Sequence, residues 1–171
     1  MLVIMKLVIR EATAEDIPSI VKVRRAAFTQ EEVRGFTTPE PSIYYTCEGL
    51  RRVWEKENVL KDGWEIAVAE SKGGIVGFIV YKMEGGCGFI DLIDVAKDSQ
   101  GKGVGRSLVT HAEETAKAAG CRKMQTDTTE NAEGIPWKAY SFWKKMGYRD
   151  TGERLPTEWD FKTIPFEKNL K

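Results

Sequence analysis

The stretch Leu92-Ile93-Asp94-Val95-Ala96-Lys97-Asp98-Ser99-Gln100-Gly101-Lys102-Gly103-Val104-Gly105 runs from an apolar segment into clustered glycines. Residues 89–95 read as a strand. Beyond the glycines, Val104, Leu108, Ala112 and Ala116 recur at helical spacing, predicting a helix over about 103–119 with Gly120 as its C-cap. Glycines at a strand-to-helix turn let the backbone approach a ligand closely, and the first N–H groups of the helix lack carbonyl partners. Those donors and the positive end of the helix dipole suit an anion such as a phosphate. A Walker loop would need Gly-x-x-x-x-Gly-Lys-Ser/Thr, which this segment does not fit. A dinucleotide fingerprint beginning at Gly101 would need glycine at 106, where Arg106 stands.

Outward from this turn the periodicity predicts a hairpin of strands 64–70 and 75–83 around Ser71-Lys72-Gly73-Gly74. A strand over 122–128 follows, then a helix over 136–146 with proline in its first turn and Gly147 after its end. Two closing strands are expected over 148–155 and 159–167. Toward the N-terminus, residues 1–9 are apolar except Lys6, too few to span a bilayer, and predict a first strand. Thr13 and Asp16 have capping-box spacing ahead of the helical stripe Ile17, Ile20, Val21, Arg24 and Phe28. An aromatic, proline-bearing loop is expected over 36–45 and a second helix over 50–59. The order implies one α/β domain over 1–171: a mixed, mostly antiparallel sheet of about seven strands with helices on both faces.

Lys plus Arg and Asp plus Glu number 26 each, a net charge of zero, which argues against a general nucleic-acid binder. At 42% hydrophobic residues the chain can bury a real core and is not compositionally disordered. Cys47, Cys87 and Cys121 are far apart and contain no Cys-x-x-Cys pair, so no zinc ribbon, disulfide scaffold or other metal site is expected. A reducing, cytoplasmic setting follows, with no membrane segment.

The pattern Gln-x-x-Gly-x-Gly at Gln100–Gly105, after a strand ending in Val95, resembles the acetyl-CoA pyrophosphate loop of the Gcn5-related N-acetyltransferase family. Ala139-Tyr140-Ser141-Phe142-Trp143-Lys144-Lys145-Met146-Gly147-Tyr148 is similar to that family's Ala-x-x-Phe-Tyr-x-x-x-Gly-Phe. Ile9-Arg10-Glu11-Ala12-Thr13-Ala14-Glu15-Asp16-Ile17 resembles its beginning, so the likeness covers nearly the whole chain. It implies an enzyme that moves an acetyl group directly from acetyl-CoA to a primary amine of a small molecule, a protein N-terminus or a lysine. Homodimers occur among members of this fold. By the resemblance, Val95, Lys97, Gln100, Gly101, Lys102, Gly103, Val104, Gly105, Arg106, Ser107, Asn131 and Trp143 are the cofactor contacts, and a backbone N–H near Val95 is the oxyanion donor.

A protonated amine with a pKa of about 10 must lose a proton before attack, at a cost of roughly 4 kcal/mol at neutral pH. The family places a carboxylate base on the strand before the loop, where Asp91 matches, and period-2 alternation puts Asp91 on the face of Phe89, Ile93 and Val95. Asp94, Asp127 and Glu130 are rival acids. The family's tyrosine acid falls on Trp143, whose indole N–H cannot protonate a thiolate. Tyr140, one turn earlier, is the substitute, or solvent protonates the thiolate. Asn131 lies eight residues before Ala139, farther than in relatives. His111 reads as a boundary residue. The rival reading, favoured by Trp143, is a non-catalytic acyl-CoA-binding sensor or interaction module. Lys97, Lys102 and Arg106 predict a basic rim opposite an acidic group of Asp91, Asp94, Asp127, Glu130 and Glu133.

Overall fold

The computed structural model describes residues 6–38 and 42–171. Along it run β1 (Val8–Glu11), α1 (Ile17–Ala27), α2 (Cys47–Val53), β2 (Trp54–Lys56), β3 (Val59–Leu60), β4 (Glu65–Ser71) and β5 (Gly74–Glu84). Then come β6 (Cys87–Val95), α3 (Val104–Ala118), β7 (Lys123–Glu130), α4 (Ala139–Lys145), β8 (Arg149–Asp150), β9 (Leu155–Pro156) and β10 (Lys162–Asn169). All the strands join one sheet in the order β2-β3-β4-β5-β6-β7-β10-β8, with β1 on β4 and β9 on β10. Among the described residues only β6 and β7 pair parallel. The expected mixed, mostly antiparallel sheet is thus observed. Among the described residues it has ten strands rather than about seven. β2 and β3 are two or three residues long, too short to leave a period in the sequence, and the strand expected over 148–155 is divided into the short β8 and β9.

Helices cover both faces, and the alternation along the central strands sorts the core into two layers. Ala67 and Ala69 of β4 and Ile79 and Tyr81 of β5 pack with Leu108, Val109 and Ala112 of α3. Their neighbours Ile66, Val68, Phe78 and Val80 pack with Ile17, Ile20 and Val21 of α1 on the other face. Both faces being buried, these strands read as continuous apolar runs.

Two irregularities in β6 make the site. The first is a bulge: Val80 lies opposite Leu92 and Tyr81 opposite Ile90, which leaves Asp91 as the extra residue. The bulge resets the alternation. Ile90, Ile93 and Val95 all pack on the α3 layer, whereas Leu92 packs on the α1 layer. The charge of Asp91 reaches Tyr44 and Arg24, both of the α1 side. Strict period 2 therefore misplaces Asp91, which does not share the face of Ile93 and Val95.

The second irregularity is a fork. β6 and β7 pair only from Cys87↔Lys123 to Phe89↔Gln125. Thr126 Oγ1 donates to the Ile90 carbonyl at 3.2 Å just beyond. From there β6 stays with β5 as far as Gly77↔Val95, and β7 stays with β10 as far as Lys162↔Glu130. The two halves of the sheet part and leave a slot between them.

Thr13 N donates to Asp16 Oδ2 at 2.8 Å, so the predicted capping box opens the turn into α1. α2 is shorter than expected because Trp54 already begins β2. α4 begins at Ala139 rather than Pro136: Pro136 bridges Glu130, and Trp137 N donates to Thr129 O at 2.8 Å. These bonds hold the segment to the sheet edge. Residues 1–5 of the predicted first strand and 39–41 of the aromatic loop lie outside the described residues. Among the described residues no helix is long and apolar enough to cross a membrane.

Candidate active site

Gly101 and Gly103 have φ of +74° and +85°, the left-handed region where a side chain is strained. With Gly103 as N-cap, the N–H groups of Val104, Gly105 and Arg106 lie in the first turn, ahead of the first helical bond from Ser107 N to Gly103 O at 3.0 Å. Gln100 Nε2 donates to Val95 O at 2.9 Å and to Ala27 O at 3.1 Å. One side-chain amide thereby ties the glycine turn to the end of β6 and the end of α1.

This turn opens on a cleft of about 480 Å³. Ile93 and Val95 from β6 and Ala139, Phe142 and Met146 from α4 and its C-cap give it an apolar lining. Arg106, Lys138 and Lys145 supply its positive charge. Phe28 and Trp137 also line it, their rings 5.2 Å apart edge to face. Residues 28–38 strap across toward β7: Phe36 packs on Trp137 at 5.2 Å, and Thr129 Oγ1 donates to Phe36 O at 2.8 Å. Glu32 on the strap lies 3.7 Å from both Lys97 and Lys138.

Of the expected cofactor contacts, Val95, Gln100, Gly101, Gly103, Gly105 and Arg106 line the cleft. Others serve the framework. Lys97 pairs with Glu32, Lys102 Nζ donates to Asp98 O at 2.7 Å, Ser107 Oγ donates to Gly103 O at 3.1 Å, and Val104 is buried in the core. Asn131 folds back on its own loop, its Oδ1 accepting from Glu133 N and Ile135 N at 3.2 and 2.9 Å. Trp143 does not line the cleft: its ring is buried between Phe142 and Tyr148. Tyr140 is also absent from the cleft. Its hydroxyl donates to Asp150 Oδ2 at 3.0 Å, Arg154 grips the same carboxylate, and its ring meets Phe166. The hydrogen bond to Asp150, with burial second, raises the Tyr140 pKa.

Phe28, Trp137, Lys138, Phe142, Lys145 and Met146 escaped the sequence reading. A signal for three cleft residues exists: Ala139, Phe142 and Met146 stand at i, i+3 and i+7, one helical stripe. Nothing local marks Phe28 or Trp137, which meet only through the strap.

The acidic group is smaller than the sequence suggests. Asp94 is buried and ion-paired to Arg24 at 2.9 Å, and Glu130 is held by Arg154 at 3.0 Å. Asp91 and Asp127 remain without hydrogen-bonded or ion-paired side-chain partners among the described residues. Each stands two residues past the last β6–β7 pair, Phe89↔Gln125, where the slot begins. Both carboxyls reach solvent, yet the surrounding walls exclude enough water to raise their pKa values. For Asp91, burial raises the pKa and the Arg24 cation opposes the rise. For Asp127, burial and then the charge of Asp91 lift it to about 6. His111 sits at the edge of α3, its Nε2 3.5 Å from the Tyr81 hydroxyl.

A sheet forked beside a glycine turn and a helix N-terminus, with a cleft running between them, defines an acetyltransferase-type fold. A model of the acetyltransferase (GNAT) family matches residues 26–148, and the chain belongs to that family. No curated protein matches the sequence. Among solved structures, PaiA N-acetyltransferase from Thermoplasma acidophilum in complex with coenzyme A is 18% identical, with a TM-score of 0.68 over 96% of this chain and 99% of that one. The ribosomal-protein-S18-alanine N-acetyltransferase of Escherichia coli is 13% identical, with a TM-score of 0.68 over 97% and 95%. A GCN5-related N-acetyltransferase from Kribbella flavida is 22% identical, with a TM-score of 0.68 over 96% and 98%. These likenesses show the fold.

Proposed function

We propose that residues 1–171 form one catalytic domain that transfers an acetyl group from acetyl-CoA directly to a primary amine. The observation that carries this is the slot itself: it opens where β6 and β7 part, on the strand whose end lines the cleft, and its two carboxyls have no hydrogen-bonded or ion-paired side chain among the described residues. The CoA pyrophosphate belongs on the N–H groups at Gly103–Arg106, with Arg106, Lys138 and Lys145 as the cationic rim. The pantetheine arm runs along Ile93, Val95 and Phe142 to the slot. There a β6 backbone N–H near Val95 polarises the thioester carbonyl.

The amine arrives as a cation and needs a base before attack. Asp91 and Asp127 are the groups free to serve. Attack forms the C–N bond, and collapse breaks the C–S bond and releases the CoA thiolate. A thiol has a pKa of about 8.5, so its thiolate leaves without a side-chain acid near neutral pH. That suits a site in which Tyr140 and Trp143 are engaged elsewhere.

Calorimetry with acetyl-CoA and a free-thiol assay over small amines, peptide N-termini and lysine peptides test the reading. Saturable binding and thiol release with at least one amine are expected. The burial of Trp143 favours a second reading, an acyl-CoA-binding module without catalysis. Binding with no thiol release from any amine would establish it.

A further inference from the structure

The mechanism above leaves two carboxyls at one fork, and their surroundings differ. Both follow the last paired rank, Phe89↔Gln125, by two residues, so the parallel register sets them side by side where the strands part. The bulge at Asp91 turns that residue toward the α1 layer, the layer of Arg24 and Tyr44. Arg24 is only partly satisfied. Its Nη1 binds both oxygens of Asp94, while its buried Nε has no hydrogen-bond partner. Asp91 therefore stands near a cation. Opposite Asp127 on β10 is Pro165, which bears no charge.

We propose that the two carboxyls divide the work: Asp127, on β7, is the general base, and Asp91, on β6, is the anion that anchors the acceptor ammonium. This assignment rests on the acetyltransferase reading and adds to it a catalytic residue on the strand across the slot.

The electrostatics select the roles. A base works best with a pKa near the working pH, because it must be ionised yet still hold a proton. Asp127 is lifted to about 6 by burial and by Asp91. Asp91 is raised by burial but drawn back by Arg24, which favours its charged form. Two carboxyls whose environments differ in this way take different parts. Among the described residues, the other ionisable group whose charge couples to the pair is Tyr44, from the turn before α2, and Asp94 on the same strand is ion-paired to Arg24.

The proton path balances. The ammonium gives one proton to the Asp127 carboxylate, and the neutral amine attacks the thioester carbonyl. The thiolate leaves and takes the second nitrogen proton, directly or through water, giving amide and CoA thiol. Asp127 then returns its proton to solvent.

Carboxyl carbon-13 NMR on the resting protein tests the coupling, with Asp127→Asn identifying the Asp127 signal by its loss. The signal is expected to titrate near 6 and to move to lower pH in Asp91→Asn, where the like charge is gone. Thiol release with acetyl-CoA and the fastest acceptor among butylamine, spermidine and a lysine peptide tests the roles. In the wild type, kcat/KM should rise through about pH 6. Asp127→Asn should lower kcat by about 100-fold or more and erase that limb, while Asp127→Glu restores part of both. Asp91→Asn should raise KM chiefly and move the limb to lower pH. Wild-type kcat in Asp127→Asn, or an ordinary titration of Asp127 in a working enzyme, would overturn the division of roles alone. A wild type that releases no thiol with these amines or with peptide N-termini overturns the acetyltransferase reading as well.

Discussion

The ring of Phe142 lies so close to Gly105 that a Cβ on Gly105 would stand 3.2 Å from Cε2 and 3.3 Å from Cζ. Gly105 thus admits α4 against the start of α3 as well as leaving the backbone open to a ligand. Phe142 is itself a wall of the cleft. Gly105→Val should displace that wall and weaken acetyl-CoA binding by at least about 10-fold in calorimetry. Gly103→Ala meets no neighbour, so its penalty is conformational, about 1–2 kcal/mol in urea unfolding, from a side chain at φ +85°.

Arg24 and Asp94 form a buried ion pair, and removing one partner alone is costly where removing both is not. Arg24→Met leaves a carboxylate buried without its cation and should destabilise the fold by about 3–5 kcal/mol in chemical denaturation. Arg24→Met with Asp94→Leu should recover most of that loss. No recovery would mean that Arg24 contributes through packing, including its approach to the Tyr45 ring at 4.9 Å.

Tyr140→Phe should leave acetyl transfer within about two-fold of wild type, because its hydroxyl serves Asp150 and is outside the cleft. The lost hydrogen bond to a charged group should reduce stability by about 1–2 kcal/mol. A large fall in kcat with normal folding would instead restore Tyr140 as a proton donor. Trp143→Ala should cost about 3–5 kcal/mol, the usual loss for a buried aromatic ring.

The raised pKa of Asp127 also predicts a stability change with pH. A carboxyl that holds its proton more tightly when folded stabilises the fold below its unfolded value of 3.8. That contribution is lost as pH rises through about 6. Asp127→Asn should therefore raise Tm at pH 8 and change it little at pH 3.5, whatever happens to catalysis. Asp150 has the opposite sign. Hydrogen bonds from Arg154 lead the causes that lower it to about 2, so its contribution is lost as pH falls from 3.8 through 2, and Asp150→Asn should flatten that acid limb.

Much of this architecture is legible in local pattern. The turn from Val95 to Gly105, the stripe of α3, the capping box at Thr13 and the alternation in β4 and β5 are set by neighbours within a few residues. Backbone sterics, caps and period carry that information. Asp91 shows where local pattern stops. One extra residue in β6 reverses its face, and the bulge is defined only by its pairing with Val80 and Tyr81. Trp143 and Tyr140 show the same limit on α4. Helical spacing places them, but Tyr148, Phe166 and Asp150 decide that both turn away from the cleft.

By itself the sequence determined the family, the order of the main strands and helices, and the glycine turn with its free helix donors. These depend on short-range geometry that any chain with those residues must obey. Only the tertiary structure decided which charges remain available for chemistry. Asp94 meets Arg24 across 70 residues, Glu130 meets Arg154 across 24, and Asp91 comes beside Asp127 because two strands pair for three ranks and then part. Electrostatic neutralisation is a property of distance in space, and nothing in local spacing encodes it.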